Sequence, residues 1–199
     1  MKKKVIIRGP LLTRSGYGEH ARFVLRALMS QEDKYDIYIS PVNWGKTGWL
    51  YEDTPERVYI DNVVRKTAIY HEECKNKNVP AQYDISFQVT IPNEWEKLAS
   101  VNIGVTAGIE TTKVSLEWIQ KSQIVDKIIV VSEHAKNSFL NTAYDVINER
   151  TGENIKDFRC QTPIDVVHYP TKTFNNIDLG LNLETKFNFL CVAQWGPRK

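Results

Sequence analysis

The chain has 199 residues, 42% hydrophobic and 25% charged, with a formal net charge of +2. These are ordinary globular values, and they give no general argument for nucleic acid or an anionic membrane. No apolar run approaches the ~18 residues of a membrane span, and the N-terminus lacks a signal-peptide core.

Lys2-Lys3-Lys4 is a short basic run read as a solvated terminus. Residues 4–8 (KVIIR) form a first strand of β-branched residues. A loop over 9–18 follows, then a helix over about 19–30 with Ala21, Val24, Leu25 and Leu28 on one face. Residues 36–42 are a second strand, and 43–54 an aromatic, glycine-rich loop holding Trp44, Trp49 and Tyr51. Pro55 opens a helix to about residue 75, since proline suits the first helical turn. Residues 83–90 alternate as a strand, which Ile91-Pro92-Asn93 breaks.

Residues 102–108 are a mostly apolar run that stops at Gly108. Glu110, Thr111 and Thr112 follow, then an amphipathic segment with Leu116, Trp118, Ile119 and Ile124. Residues 127–132 (KIIVVS) are another buried-strand pattern, ending on Ser132-Glu133-His134. A helix is expected over about 133–150, a strand over 165–169, a polar linker over 170–184 and a last strand over 186–195.

Strands alternating with helices imply an α/β, Rossmann-like domain: a mainly parallel sheet with helices on both faces. Two successive strands releasing polar residues at one end mark 101–139 as a site, because ligands bind outside the carboxyl ends of such strands. A polar linker followed by one apolar strand divides the chain into 1–184 and the start of a second domain, 185–199. A strand that completes the first sheet is the alternative. Cys74, Cys160 and Cys191 form no zinc spacing and no disulfide framework, so a reducing cytoplasm is the expected compartment.

Gly16-x-Gly18-x-x-Ala21 matches the dinucleotide fingerprint formally, with glycines that let backbone amides approach a phosphate. Residues 9–15 intervene after the strand, however, and no acidic residue closes the second strand. A sugar- or phosphate-facing loop of another kind, or a plain turn, fits better. Gly45-Lys46-Thr47 is no Walker A motif, because Ser40 stands at the first glycine's place and no helix follows. Trp44, Trp49 and Tyr51 suit either sugar stacking or the anchoring of a surface loop. Glu110, after a glycine at a strand end, is placed to orient or deprotonate a hydroxyl, or to cap the next helix. His20, His71, His134 and His168 show no metal spacing.

Gly108-Ile109-Glu110-Thr111-Thr112, then Glu117-Trp118, then Asp126 with residues 128–132 and Phe139, resemble the central signature of one family. That family is the retaining, nucleotide-sugar-dependent glycosyltransferases of the two-Rossmann-domain (GT-B) type, family four. Residues 15–22 (SGYGEHAR) resemble its glycine loop, and 189–199 (FLCVAQWGPRK) the strand and basic turn opening its second domain.

The resemblance implies the acceptor-side half of such an enzyme, inactive alone, with the distal glutamates and nucleotide pocket beyond Lys199. Glu110 would stand beside the reacting sugar, where many relatives carry histidine. Gly16, Tyr17 and Gly18 would face the donor diphosphate and acceptor, and Thr111, Ser132 and Glu133 would line the cleft. Arg198 and Lys199 would clamp the diphosphate. The implied partners are a UDP- or GDP-linked sugar as substrate and a carbohydrate acceptor, through which peripheral membrane contact could arise. No metal or further cofactor is implied. Two other readings stay open: a non-catalytic Rossmann-like interaction module, and a nucleotide-binding oxidoreductase-like domain.

Overall fold

The computed structural model describes residues 2–147, 152–171 and 180–191. Its elements in chain order are β1 (Lys3–Gly9), α1 (Gly16–Met29), β2 (Tyr35–Pro41), α2 (Pro55–Asn76), β3 (Ile85–Val89), a 3₁₀ turn (Pro92–Glu94) and β4 (Val101–Thr106). Then come α3 (Leu116–Ser122), β5 (Lys127–Val130), α4 (Glu133–Leu140), β6 (Ala143–Ile147), β7 (Asn154–Arg159) and β8 (Ile164–Val166). Six strands make one sheet in the order β2-β1-β3-β4-β5-β8, and every neighbouring pair is parallel. The fold is the expected α/β, Rossmann-like one. Because β2 lies to one side of β1 and β3 to the other, the chain reverses direction there and leaves a crevice at the carboxyl edge.

Strand alternation divides the core between the two faces. Val5 and Ile7 of β1, with Ile37 and Ile39 of β2, pack under Ala21, Leu25 and Leu28 of α1. On the opposite face, Ile128 and Val130 of β5 pack with Trp118 and Ile119 of α3 and Phe139 of α4. Helix α2 closes the free edge of β2. The Ile39 N–H donates to Thr67 Oγ1 (3.0 Å), and Lys66 Nζ donates to the Ile37 carbonyl (2.9 Å), so outward-facing backbone groups of an edge strand are satisfied in cis.

The connection from β3 to β4 carries no α-helix. The sheet's own side chains pin it instead. Gln88 Nε2 donates to the Glu96 carbonyl (2.6 Å) while the Glu96 N–H donates to Gln88 Oε1 (2.9 Å). Asn102 Oδ1 accepts from the N–H groups of Leu98 (2.9 Å) and Ala99 (3.1 Å). Buried polar side chains thus serve backbone that has no helix to serve it. Trp95, fully buried, lies against Gly104, where a Cβ would come within 2.6 Å of the indole ring. A glycine inside a strand here marks a close approach.

Four sequence expectations differ from the structure. The helix expected over 133–150 ends at Leu140, and β6 pairs antiparallel with β7 as a separate hairpin. Helix α1 starts at Gly16 rather than at residue 19, so both glycines lie in its first turn. The strand expected over 165–169 is β8, which runs only from Ile164 to Val166. Residues 186–191 are not in a strand, with Phe187, Phe189 and Leu190 exposed; 192–195 lie outside the described residues. No helix among the described residues is long and apolar enough to cross a membrane.

Candidate functional site

The β1–α1 loop is held from beneath by Arg22. Its buried guanidinium donates through Nη1 to the carbonyls of Leu11 (2.7 Å) and Thr13 (2.9 Å), and Nη2 pairs with Glu19 (2.8 Å). Ser15 caps α1, its Oγ accepting from the Gly18 N–H at 2.9 Å. Extended backbone at Ser15 feeding a capped first turn is what an N-cap serine favours. Gly18 sits against the loop, whereas Gly16 is exposed and a Cβ on it would meet nothing within 4 Å.

This capped turn aims Tyr17 across the carboxyl edge to β4. Its hydroxyl lies 2.8 Å from Thr106 Oγ1 and accepts from the Ala107 N–H at 3.2 Å. Burial pushes the phenol above its ordinary range; the hydrogen bonds to Thr106 and Ala107 oppose that, and the charges of Glu94 and Glu110 add to it. Tyr17 is therefore a neutral hydroxyl at physiological pH. The Trp44 ring packs against it, centroids 4.6 Å apart.

The rest of the aromatic loop faces elsewhere. It zips onto the β1–α1 loop through the Arg14 N–H to the Gly48 carbonyl (2.7 Å), the Leu50 N–H to the Leu12 carbonyl (2.8 Å) and a bridge between Thr13 and Trp49. Arg14 stacks over the Tyr51 ring at 4.4 Å and pairs with Glu52 at 2.9 Å.

Beyond β4, Gly108 takes φ +82°, and a Cβ there would lie 2.5 Å from that of Ala135. The loop bearing Glu110 thus rests on the first turn of α4. Ser132 caps that helix, its Oγ accepting from the Ala135 N–H at 3.1 Å. Thr111 turns into its own loop: its Oγ1 donates to the Lys113 carbonyl (2.8 Å) and its carbonyl accepts from Ser138 Oγ (3.0 Å). Glu110 and Glu133 are exposed.

Of the residues singled out in the sequence, the fold gathers Tyr17, the Glu110 loop and the Ser132–Glu133 helix start along one edge. Gly18, Thr111 and Ser132 have structural partners that account for them. Arg198 and Lys199 lie outside the described residues. Sequence reasoning missed Thr106, His20 and Tyr169. His20 sits one helical turn after Tyr17, ring centroids 6.5 Å apart, and meets Tyr169 edge-on at 4.9 Å. Its place among the apolar positions of α1 was the available signal. No group of His, Cys, Asp or Glu among the described residues is placed to hold a metal.

A hydroxyl held neutral, a nearby exposed carboxylate and an indole plane suit a hydroxylated ring ligand, through hydrogen bonds and stacking. Tyr17→Phe is expected to cost about 1 kcal/mol, because the Ala107 N–H and Thr106 lose their partner. Urea unfolding would register that loss.

Compared with known proteins, the chain matches no family model, no curated protein and no solved structure.

Proposed function

We propose that this chain is the acceptor-binding half of a retaining glycosyltransferase that moves a sugar from a UDP- or GDP-linked donor to a glycan or other hydroxyl. The observation that carries the reading is the Tyr17–Thr106–Ala107 contact. It draws the SGYG segment and the GIETT segment, the two stretches that resemble the family, together at one sheet edge. Trp44 supplies the stacking plane for an acceptor ring, and Glu110 orients or deprotonates the attacking hydroxyl. Ser132 and Glu133 form the far wall, and the basic pair Arg198–Lys199 takes the diphosphate. Transfer needs the leaving diphosphate stabilised, and Arg14 of the site's own loop and Arg22 of α1 are occupied by Glu52 and Glu19. The chain alone is therefore expected to bind sugar without turning over.

Ligand-observed NMR with UDP, GDP, NAD and simple sugars tests this. Weak sugar binding that disappears in Glu110→Ala and Trp44→Ala, with little nucleotide affinity, is the expected result. Tight binding of any nucleotide would instead place a complete nucleotide site within these residues and overturn the assignment.

A further inference from the structure

Parallel sheets are normally covered on both faces, yet among the described residues one face is only half covered. Helix α1 covers β1 and β2, and beside it runs an open groove of about 970 Å³. Its floor is Phe87 of β3, Val105 of β4 and Ile129 of β5, and its wall is Phe23, Val24 and Ala27 of α1. Register places these floor residues on a single face, since Phe87 pairs with Ile103 and Val105 with Ile129. On the same face the Lys127–Asp165 ion pair bounds the floor beyond β5.

We propose that this groove holds an aliphatic chain, so that the acceptor is a sugar carried on a lipid-like tail. The sugar end of the inference rests on the acceptor reading above; the tail end rests on the groove. Its occupant follows from continuity with the candidate site. The mouth of the groove is His20 and Tyr169, and His20 is the next aromatic ring below Tyr17. For a ligand whose polar head meets Tyr17 and Trp44, apolar surface among the described residues continues past the His20–Tyr169 pair and along α1. Polar lining is concentrated at the two ends, Glu19, His20 and His168 at the mouth and Gln31 and Tyr35 at the foot; midway along the wall Arg26 is paired with Glu19 and Glu56, and the floor is hydrocarbon. From His20 to Met29, its last residue, the helix spans about 14 Å, enough for a chain of on the order of ten methylenes. A pocket of this size and lining, with few polar groups at its mouth, is typical of small-molecule sites.

The test is calorimetric titration of the whole chain with glucose, with hexyl, octyl, decyl and dodecyl glucosides below their critical micelle concentrations, and with decanol. Each added methylene should tighten binding roughly three- to fourfold, levelling off once the tail outruns the groove. Ala27→Trp, on the exposed flank of α1, should abolish this chain-length dependence and leave glucose binding unchanged. Alkyl glucosides that bind no tighter than glucose would overturn the proposal, as would a chain-length gain that survives Ala27→Trp. Self-association that alkyl chains fail to displace would also overturn it, and would assign the groove to a second copy. Decanol binding blocked by Ala27→Trp, with no contribution from the sugar head, would keep the tail site and remove the glycosyl-acceptor reading.

Discussion

Gly18→Ala is expected to destabilise the protein by about 2–3 kcal/mol, through overpacking of a site that has no slack. Gly16→Ala, two residues away, should stay within about 0.5 kcal/mol. An added Cβ on Gly18 would lie 2.2 Å from the Thr13 carbonyl oxygen, 2.8 Å from Thr13 Oγ1 and 3.0 Å from the Pro10 carbonyl oxygen. None of these atoms can yield cheaply. The Thr13 carbonyl accepts from Arg22, and the Pro10 carbonyl accepts from both the N–H and the hydroxyl of Thr13. Gly16 has open space instead, so close approach of a ligand is a reason for glycine that remains at that position. Urea unfolding of the two variants at pH 7 separates the cases. Equal losses would show that the loop relaxes around Gly18, and its packing role would fail.

The first five strands were legible because each is a β-branched run bounded by proline, glycine or a polar cluster. Their parallel pairing followed from the helices between them, except at β3 and β4, which no α-helix separates. The hairpin of β6 and β7 was not legible. Between residues 133 and 150 no glycine or proline stops the helical pattern; the stop is made by Thr142, whose buried hydroxyl donates to the Ser138 carbonyl and accepts from the Val114 N–H. That contact spans distant parts of the chain and leaves no local mark. In β7 the apolar residues Ile155 and Phe158 are three apart, because the ladder shifts register between Tyr144 and Val146 and Asp157 takes φ 55°. A bulge of this kind destroys the period-two signal by which a strand is recognised. At the candidate site, the polar strand ends named the carboxyl edge, along which Tyr17, the Glu110 loop and Ser132 lie. The pairing of Tyr17 with Thr106 depends on how far a side chain reaches across β3, which no spacing encodes.

His20 should make stability fall as the solution is acidified, before any carboxylate titrates. Burial among Tyr17, Phe23 and Tyr169 lowers its pKa from 6.5 to about 4, and its Nδ1 is buried with no hydrogen-bond partner among the described residues. The unfolded chain therefore binds a proton between pH 6.5 and 4 that the folded chain refuses, so stability rises with pH across that window. Descending from pH 7 to 4 should remove roughly 3 kcal/mol, because each tenfold loss of proton affinity on folding is worth about 1.4 kcal/mol. The carboxylates act in a lower window, in the same direction. Burial raises Glu19, but its bonds to Arg26 and Arg22 outweigh that and hold it low, so its contribution is lost only below its ordinary 4.5. Unfolding free energies at pH 7, 6 and 5 isolate the histidine. In His20→Leu the decline over that range should vanish, and the variant should be more stable than the parent at pH 5. An unchanged slope in His20→Leu would mean that another group refuses the proton, and that the His20 ring can reach solvent through the mouth of the groove.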